Sequence, residues 1–174
     1  MTNHVQRVCK STILLLLAIS GVALTAGAQQ PAGRRPSLSV LVGLSPYDLS
    51  GVGTGFAAGA WADYPLTSFL LAEGGVGYFR YTSQGGVRVA YVLPEVGVRA
   101  GIPLKSAFPF LGVGAGFATA ASGGSSTDFT LHALVGLRLW LSARVGLRAE
   151  ARLRAVDPWA ANMTDITGGL SIKL

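Results

Sequence analysis

The sequence predicts an all-β protein, an eight-stranded antiparallel up-and-down transmembrane β-barrel preceded by a signal peptide. Three observations predict it. First, Val145, Leu147, Ala149, Ala151 and Leu153 alternate with Arg144, Gly146, Arg148, Glu150, Arg152 and Arg154. A strand sends successive side chains to opposite faces, so this segment has one oily face and one ionic face. Wound as a helix, it would mix charge and hydrocarbon all round. Second, 50% of the 174 residues are hydrophobic and only 13% are charged. Yet no segment beyond the amino-terminal region supplies the roughly 20 apolar residues of a membrane helix. Third, tight connections alternate with longer ones rich in Gly, Ser and Asp, as an up-and-down barrel requires.

The elements follow in order. Arg7 and Lys10 form a positive region, Ile13 to Leu24 an apolar run, and Ala26-Gly27-Ala28 a small-residue cleavage site. Residues 1–28 therefore read as a signal peptide, 29–36 as a periplasmic leader and 37–174 as the barrel domain. The single cysteine, Cys9, falls inside the signal, which leaves no disulfide or thiolate chemistry for the exported chain. Removing Arg7 and Lys10 lowers the formal charge from +6 to +4. The basic residues alternate along strands rather than gathering in a patch, which argues against a nucleic-acid partner.

The strand candidates are Ser37 to Leu44, Gly53 to Tyr64, Phe69 to Tyr81, Val87 to Ala100, Phe108 to Ala118, Phe129 to Leu141, Arg144 to Arg154 and Ile166 to Leu174. The alternation of the fourth changes phase near Pro94-Glu95, which predicts a bulge. Tight turns are expected at Pro65 to Ser68, Ile102 to Ala107 and Leu141 to Ala143. Longer loops are expected at Ser45 to Val52, Thr82 to Gly86, Thr119 to Asp128 and Ala155 to Thr164. An outer-membrane barrel has this arrangement, with short periplasmic turns and longer outer loops. Lipid demands that every backbone group be paired within the protein, so the sheet must close.

Charge sets the orientation of the faces. Glu73, Arg88, Glu95, Arg99, Arg138, Arg148, Glu150, Arg152 and Lys173 are expected in the lumen as a structural network, with Asp63 a companion. Their apolar neighbours then face lipid. Arginine outnumbers glutamate in the last strands, so anions or water are expected to neutralise a surplus. Tyr64, Phe69, Phe108, Phe110 and Trp140 lie near the tight-turn ends. Phe56, Phe79, Tyr81, Phe117, Phe129 and Trp159 lie near the other ends, and the two bands read as interfacial girdles.

The exported chain resembles the small outer-membrane barrels of Gram-negative bacteria, in particular the OmpA-like and OmpX-like eight-stranded families. The closing run Gly169-Leu170-Ser171-Ile172-Lys173-Leu174 carries the resemblance, as does the strand motif Pro94-Glu95-Val96-Gly97-Val98-Arg99. The closing run is similar to the signal read by the barrel-assembly machinery, with Gly169, Ile172 and Leu174 in the matching positions. The terminal Leu174 departs from the commoner aromatic residue. The resemblance implies a monomer in contact with outer-membrane lipid and lipopolysaccharide.

Signs of catalysis are few. Gly51-Val52-Gly53-Thr54-Gly55 and Gly112-Val113-Gly114-Ala115-Gly116 lack the spacing of a nucleotide loop, and no helix pattern follows either. They suit the interior of a narrow barrel, where glycine makes room for bulky neighbours. His132 is expected to face the lumen on the side of Thr130, Arg138 and Glu150. Some eight-stranded barrels are lipid A deacylases with a His-x-Ser pair and a nearby glutamate, but here the matching position is Leu134. One histidine without cysteine supplies few metal ligands. The expected protein is therefore structural or surface-interacting, without catalysis, cofactor or metal. A lipid A-modifying hydrolase using His132 and Glu150 is the runner-up, and a narrow pore is the third reading.

Overall fold

The computed structural model describes residues 35–46, 54–82, 86–121, 126–157 and 161–174. The signal peptide, all but the last residues of the leader, Gly51 to Gly53 and Trp159 lie outside the described residues. Eight strands form one closed antiparallel barrel in sequence order. They are β1 (Ser37–Pro46), β2 (Thr54–Pro65), β3 (Leu70–Thr82), β4 (Arg88–Gly101), β5 (Ala107–Ala120), β6 (Thr127–Trp140), β7 (Val145–Val156) and β8 (Ala161–Lys173). The first and last strands close the cylinder, with Val40 opposite Leu170 and Leu38 opposite Ile172. Closure removes both sheet edges, so no row of unpaired backbone groups remains.

The strands run further than the sequence suggests. β7 continues to Val156 and β8 begins at Ala161, so the expected loop at Ala155 to Thr164 reduces to 157–160. Its flanking residues pair instead, Arg154 with Met163 and Ala155 with Asn162. The Thr119 to Asp128 loop likewise reduces to 121–126. The contrast in connection length is therefore weaker than expected, and 83–87 spans no more chain than 102–106.

The bulge expected at Pro94-Glu95 is absent. Leu93, Pro94 and Glu95 face Gly77, Val76 and Gly75 without a break in register. On the β5 side the ladder omits Leu93 and Pro94 and resumes in step at Glu95 opposite Gly116. Proline has no N–H to give, and here its effect is a gap in one ladder rather than an inserted residue. The uninterrupted phase turns Leu93 inward with Glu95 and Arg99, and Arg88 outward.

Two turns share one design. In 66–69, Leu66 and Thr67 donate backbone N–H groups to the Leu70 carbonyl, and Thr67 Oγ1 accepts from the Phe69 and Leu70 N–H groups at 3.3 and 3.0 Å. In 141–144, Leu141 and Ser142 donate to the Val145 carbonyl, and Ser142 Oγ accepts from Arg144 and Val145 at 3.3 and 3.0 Å. A hydroxyl that caps its own turn can replace a glycine there. This end of the cylinder is called the turn end below, and the opposite end the loop end.

The faces are inverted relative to a water-soluble protein. Val96, Leu111 and Ile166 point outward with 63–67% of their surface exposed, while Arg99, Arg148 and Arg152 are 1% exposed. Inside there are two storeys. At the loop end Phe79, Tyr81, Leu93, Ala118, Val156 and Met163 form an apolar cluster, with Val89 and Tyr91 packed against it. Below it the interior is ionic.

Candidate functional site in the barrel interior

The ionic storey is built from inward positions on six strands. Asp63 (β2), Glu73 (β3), Glu95 and Arg99 (β4), Arg138 (β6), Arg148, Glu150, Arg152 and Arg154 (β7) and Asp165 (β8) are all buried. These are five arginines and five carboxylates, so the interior network is neutral and needs no outside anion. The surplus of arginine expected in the last strands persists there, and the acids of β2–β4 balance it across the bore.

The charges are arranged as two walls. β2–β4 carry Asp63, Glu73 and Glu95 against Arg99 alone, which makes that wall net negative. β6–β8 carry Arg138, Arg148, Arg152 and Arg154 against Glu150 and Asp165, which makes the facing wall net positive. Between the walls run β1 and β5. The inward positions of β1 are Ser37, Ser39, Leu41, Gly43 and Ser45, and those of β5 are Phe108, Phe110, Gly112, Gly114, Gly116 and Ala118. No inward charge sits on either strand.

Bonds cross the bore from wall to wall. Asp63 accepts from Arg138, and Ser37 and Ser39 take further Arg138 N–H groups at 3.2 and 3.5 Å. Glu73 accepts from Arg148 at 2.6 Å and from Arg152 at 2.7 Å. Glu95 accepts from Arg152 at 2.7 Å and from Arg154 Nη2 at 3.1 Å. Other bonds stay within a wall. Arg99 pairs with Asp63 and lies 3.3 Å from Glu73. Glu150 accepts from Arg148 Nε at 2.8 Å and from Arg152 at 3.0 Å, and Arg154 pairs with Asp165. Every carboxylate meets at least one arginine, which is the condition under which buried charges are tolerated.

Ring faces complete the shells of the guanidinium groups. The Phe110 ring meets both Arg99 and Arg148, its centroid 4.7 and 5.5 Å from their Cζ atoms. Trp61 lies 3.8 Å from Arg152. A ring face attracts a cation by its quadrupole without adding a charge. Glycine opposite these bulky groups provides the space. A Cβ on Gly112 would stand 2.6 Å from Arg99 Cγ, and one on Gly116 2.7 Å from Glu95 Cγ. A Cβ on Gly114 would collide with the His132 ring and the Val96 carbonyl.

The placement of the expected lumen residues differs in two respects. Arg88 is not in the network. It is exposed, and it stands opposite Thr82 on the outward phase of β4, because the predicted phase change does not occur. Lys173 sits at the mouth rather than within, half-buried over the Trp140 ring at 4.1 Å. Two members of the network were not singled out for it from sequence. Arg154 continues the alternation of β7 and carried a usable signal. Asp165 fell between the expected loop, which ends at Thr164, and the expected strand, which begins at Ile166.

Half of the expected aromatic girdle is internal. Phe79, Tyr81 and Phe110 are buried, and Trp140 and Phe108 occupy inward phases. The outward aromatics are Tyr64 and Phe69 at the turn end and Phe56, Tyr78, Phe117 and Phe129 at the loop end. Of the expected assembly-signal residues, Ile172 and Leu174 are exposed, and the Leu174 N–H donates to the Pro36 carbonyl at 2.9 Å. Gly169 lies against the β1 backbone, where a Cβ would strike the Val40 carbonyl.

His132 is 5% exposed and faces Glu95 at 3.5 Å, not Glu150. It lies among ion pairs, and Leu134 two residues on is also buried. Among the described residues no group of three or more His, Cys, Asp or Glu side chains is placed to hold a metal. The void between Trp61, Phe79, Leu93 and Arg154 measures about 10 Å³, close to the least that holds one water. A second, open cavity of about 60 Å³ lies at the turn end beside Asp63, Arg138, Trp140 and Lys173.

No protein-family model and no curated protein matches the sequence. Solved structures do match the fold. Neisserial surface protein A aligns with a TM-score of 0.64 at 15% identity, over 80% of this chain and 96% of that one. Ail, the attachment invasion locus protein of Yersinia pestis, aligns with a TM-score of 0.56 at 14% identity, over 80% and 97%. The N-terminal β-barrel domain of Pseudomonas aeruginosa OprF aligns with a TM-score of 0.56 at 13% identity, over 79% and 97%. With its apolar exterior, ionic interior and strand order, the chain has the fold of the small eight-stranded β-barrels of bacterial outer membranes.

Proposed function

We propose that the chain is an integral protein of a bacterial outer membrane, exported by its signal peptide, with a structural or surface-interaction role and no catalysis. Its bore is plugged by its own side chains. The observation that carries this reading is the self-neutralising network of five arginines and five carboxylates under an apolar cluster. An eight-stranded barrel is just wide enough for side chains to fill, and a conducting pore would need water where these ion pairs stand. The turn end faces the periplasm and the loop end the exterior. Gly169, Ile172 and Leu174 form the sequence read by the barrel-assembly machinery. The barrel works as a monomer among lipid and lipopolysaccharide.

The hydrolase reading is disfavoured by geometry. His132 is enclosed between ion pairs and separated from lipid by the barrel wall, and Glu150 is engaged by Arg148 and Arg152. The pore reading is tested by recording from the purified barrel in planar bilayers. No discrete conductance steps are expected. Steps that vanish when Arg148 and Arg152 are both replaced by glutamine would overturn the plugged lumen.

A further inference from the structure

The charge balance of the interior stops at the turn end. The five arginines and five carboxylates of the network cancel one another. Two further cations stand beside them, Arg35 ahead of β1 and Lys173 on β8, and both line the open cavity of about 60 Å³ together with Arg138. No ion pair joins Arg35 or Lys173 to a carboxylate among the described residues. Asp63 is the one acid among the described lining residues, and it is already engaged by Arg99, by Arg138 and by the Ser37 hydroxyl at 3.1 Å. Lys173 is steadied instead by the Trp140 ring at 4.1 Å, and Arg138 lies 5.4 Å from the same ring. A ring face holds a cation in place without cancelling its charge. The Lys173 ammonium group therefore stays fixed while Arg35 and Arg138 both repel it.

We propose that this mouth binds a free tetrahedral oxyanion of the inorganic phosphate class. The site belongs to the cylinder itself and is independent of the membrane role proposed above. Its volume of about 60 Å³ is several times the roughly 10–15 Å³ that admits one water. An anion set between Arg35 and Lys173 replaces their mutual repulsion with attraction on both sides. Donors approach from four separate elements: Arg35 from the leader, Arg138 from β6, Lys173 from β8, and Thr67 and Ser68 from the 66–69 turn. A tetrahedral oxyanion offers acceptors in as many directions, whereas a carboxylate offers them in one plane. Thr67 Oγ1 accepts twice within its own turn, so its O–H is left to give. The planar fork of a guanidinium matches phosphate oxygens in pairs, and the ammonium group adds a compact point charge. Asp63 repels any anion, which places the ligand on the Arg35 and Lys173 side of the cavity.

The test uses the whole chain folded in maltoside micelles, a detergent without phosphate. Inorganic phosphate is titrated in by isothermal calorimetry, with chloride holding the ionic strength constant. Wild type is expected to bind it saturably. The double variant Arg35→Gln with Lys173→Gln is expected to bind it roughly tenfold more weakly or worse, since each change removes a charge-assisted hydrogen bond. Arg144→Gln, which removes an exposed turn-end arginine outside the cavity lining, is expected to bind as wild type does. Absence of saturable binding by wild type, or undiminished affinity in the double variant, would overturn the site. An equal loss in Arg144→Gln would trace the effect to the general charge of that end and overturn it as well. A short-chain phosphatidic acid is titrated in parallel. Binding of that lipid roughly tenfold tighter than inorganic phosphate would overturn the assignment to a free ion. Unboiled gel mobility shows whether each variant is folded. Should the double variant not fold, Lys173→Gln alone takes its place, with weaker phosphate binding again expected and unchanged binding again fatal to the site.

Discussion

Glu95 ties β4 to β6 and β7, because it answers two arginines and a histidine at once. Its removal leaves Arg152 and Arg154 short of a partner in a dry enclosure. Breaking a buried pair from one side costs about 3–5 kcal/mol, since the orphaned charge remains. Glu95→Ala is therefore expected to destabilise the barrel by about that amount, read by urea titration of the vesicle-folded chain. Glu95→Gln should lose nearly as much, because it preserves shape and removes only the charge. A silent Glu95→Gln beside a damaging Glu95→Ala would mean that packing, not charge, matters at this position. Most of these ionic residues were legible from alternation alone, which reports the face a residue occupies. Which partner it meets across the bore depends on how the strands are sheared against each other. Nothing in the alternation of β7 indicates that Arg152 reaches both Glu73 and Glu95.

At the scale of elements, strand existence was readable and strand ends were not. β7 and β8 each extend into a segment whose Asp, Asn, Thr and Met look like a loop. The pairing that recruits them is supplied by the neighbouring strand rather than by local preference. β4 was misread for a related reason. Its loop-end inward residues, Val89, Tyr91 and Leu93, are apolar because the upper storey of the interior is apolar. A rule that equates oily with outward must then infer a phase shift, and it carried Arg88 into the lumen with it. The β1–β8 seam gives a direct check on which side meets lipid. Val40 is outward, 56% exposed and midway along β1. Val40→Arg is expected to cost about 2–4 kcal/mol in the same urea titration. A neutral result would place that face in water.

For the molecule as a whole, the fold class was available from sequence because three signals agreed: period-two alternation, the missing membrane helix and the spacing of connections. Agreement across levels is what marks a specified fold. The weaker part was function, since alternation describes an environment and not a task. Arg88 illustrates this. Arg88 was expected in the lumen, and its outward place becomes visible only when β3 and β4 are set in register, with Arg88 opposite Thr82.

The opposed walls bear on how such a cylinder can be made. The strands up to β5 contain three buried acids and one arginine, and those after it contain four arginines and two acids. Neither portion could enter hydrocarbon alone without carrying uncompensated charge, so stepwise insertion from one terminus would be blocked at its midpoint. Biogenesis must bring both portions together before either is committed to the bilayer. Chains severed within 121–126 and co-expressed should accordingly assemble as a pair, while each fragment by itself should fail to integrate, as judged by protease protection of isolated membranes. Solitary integration of either fragment would show that electroneutrality does not govern the order of events.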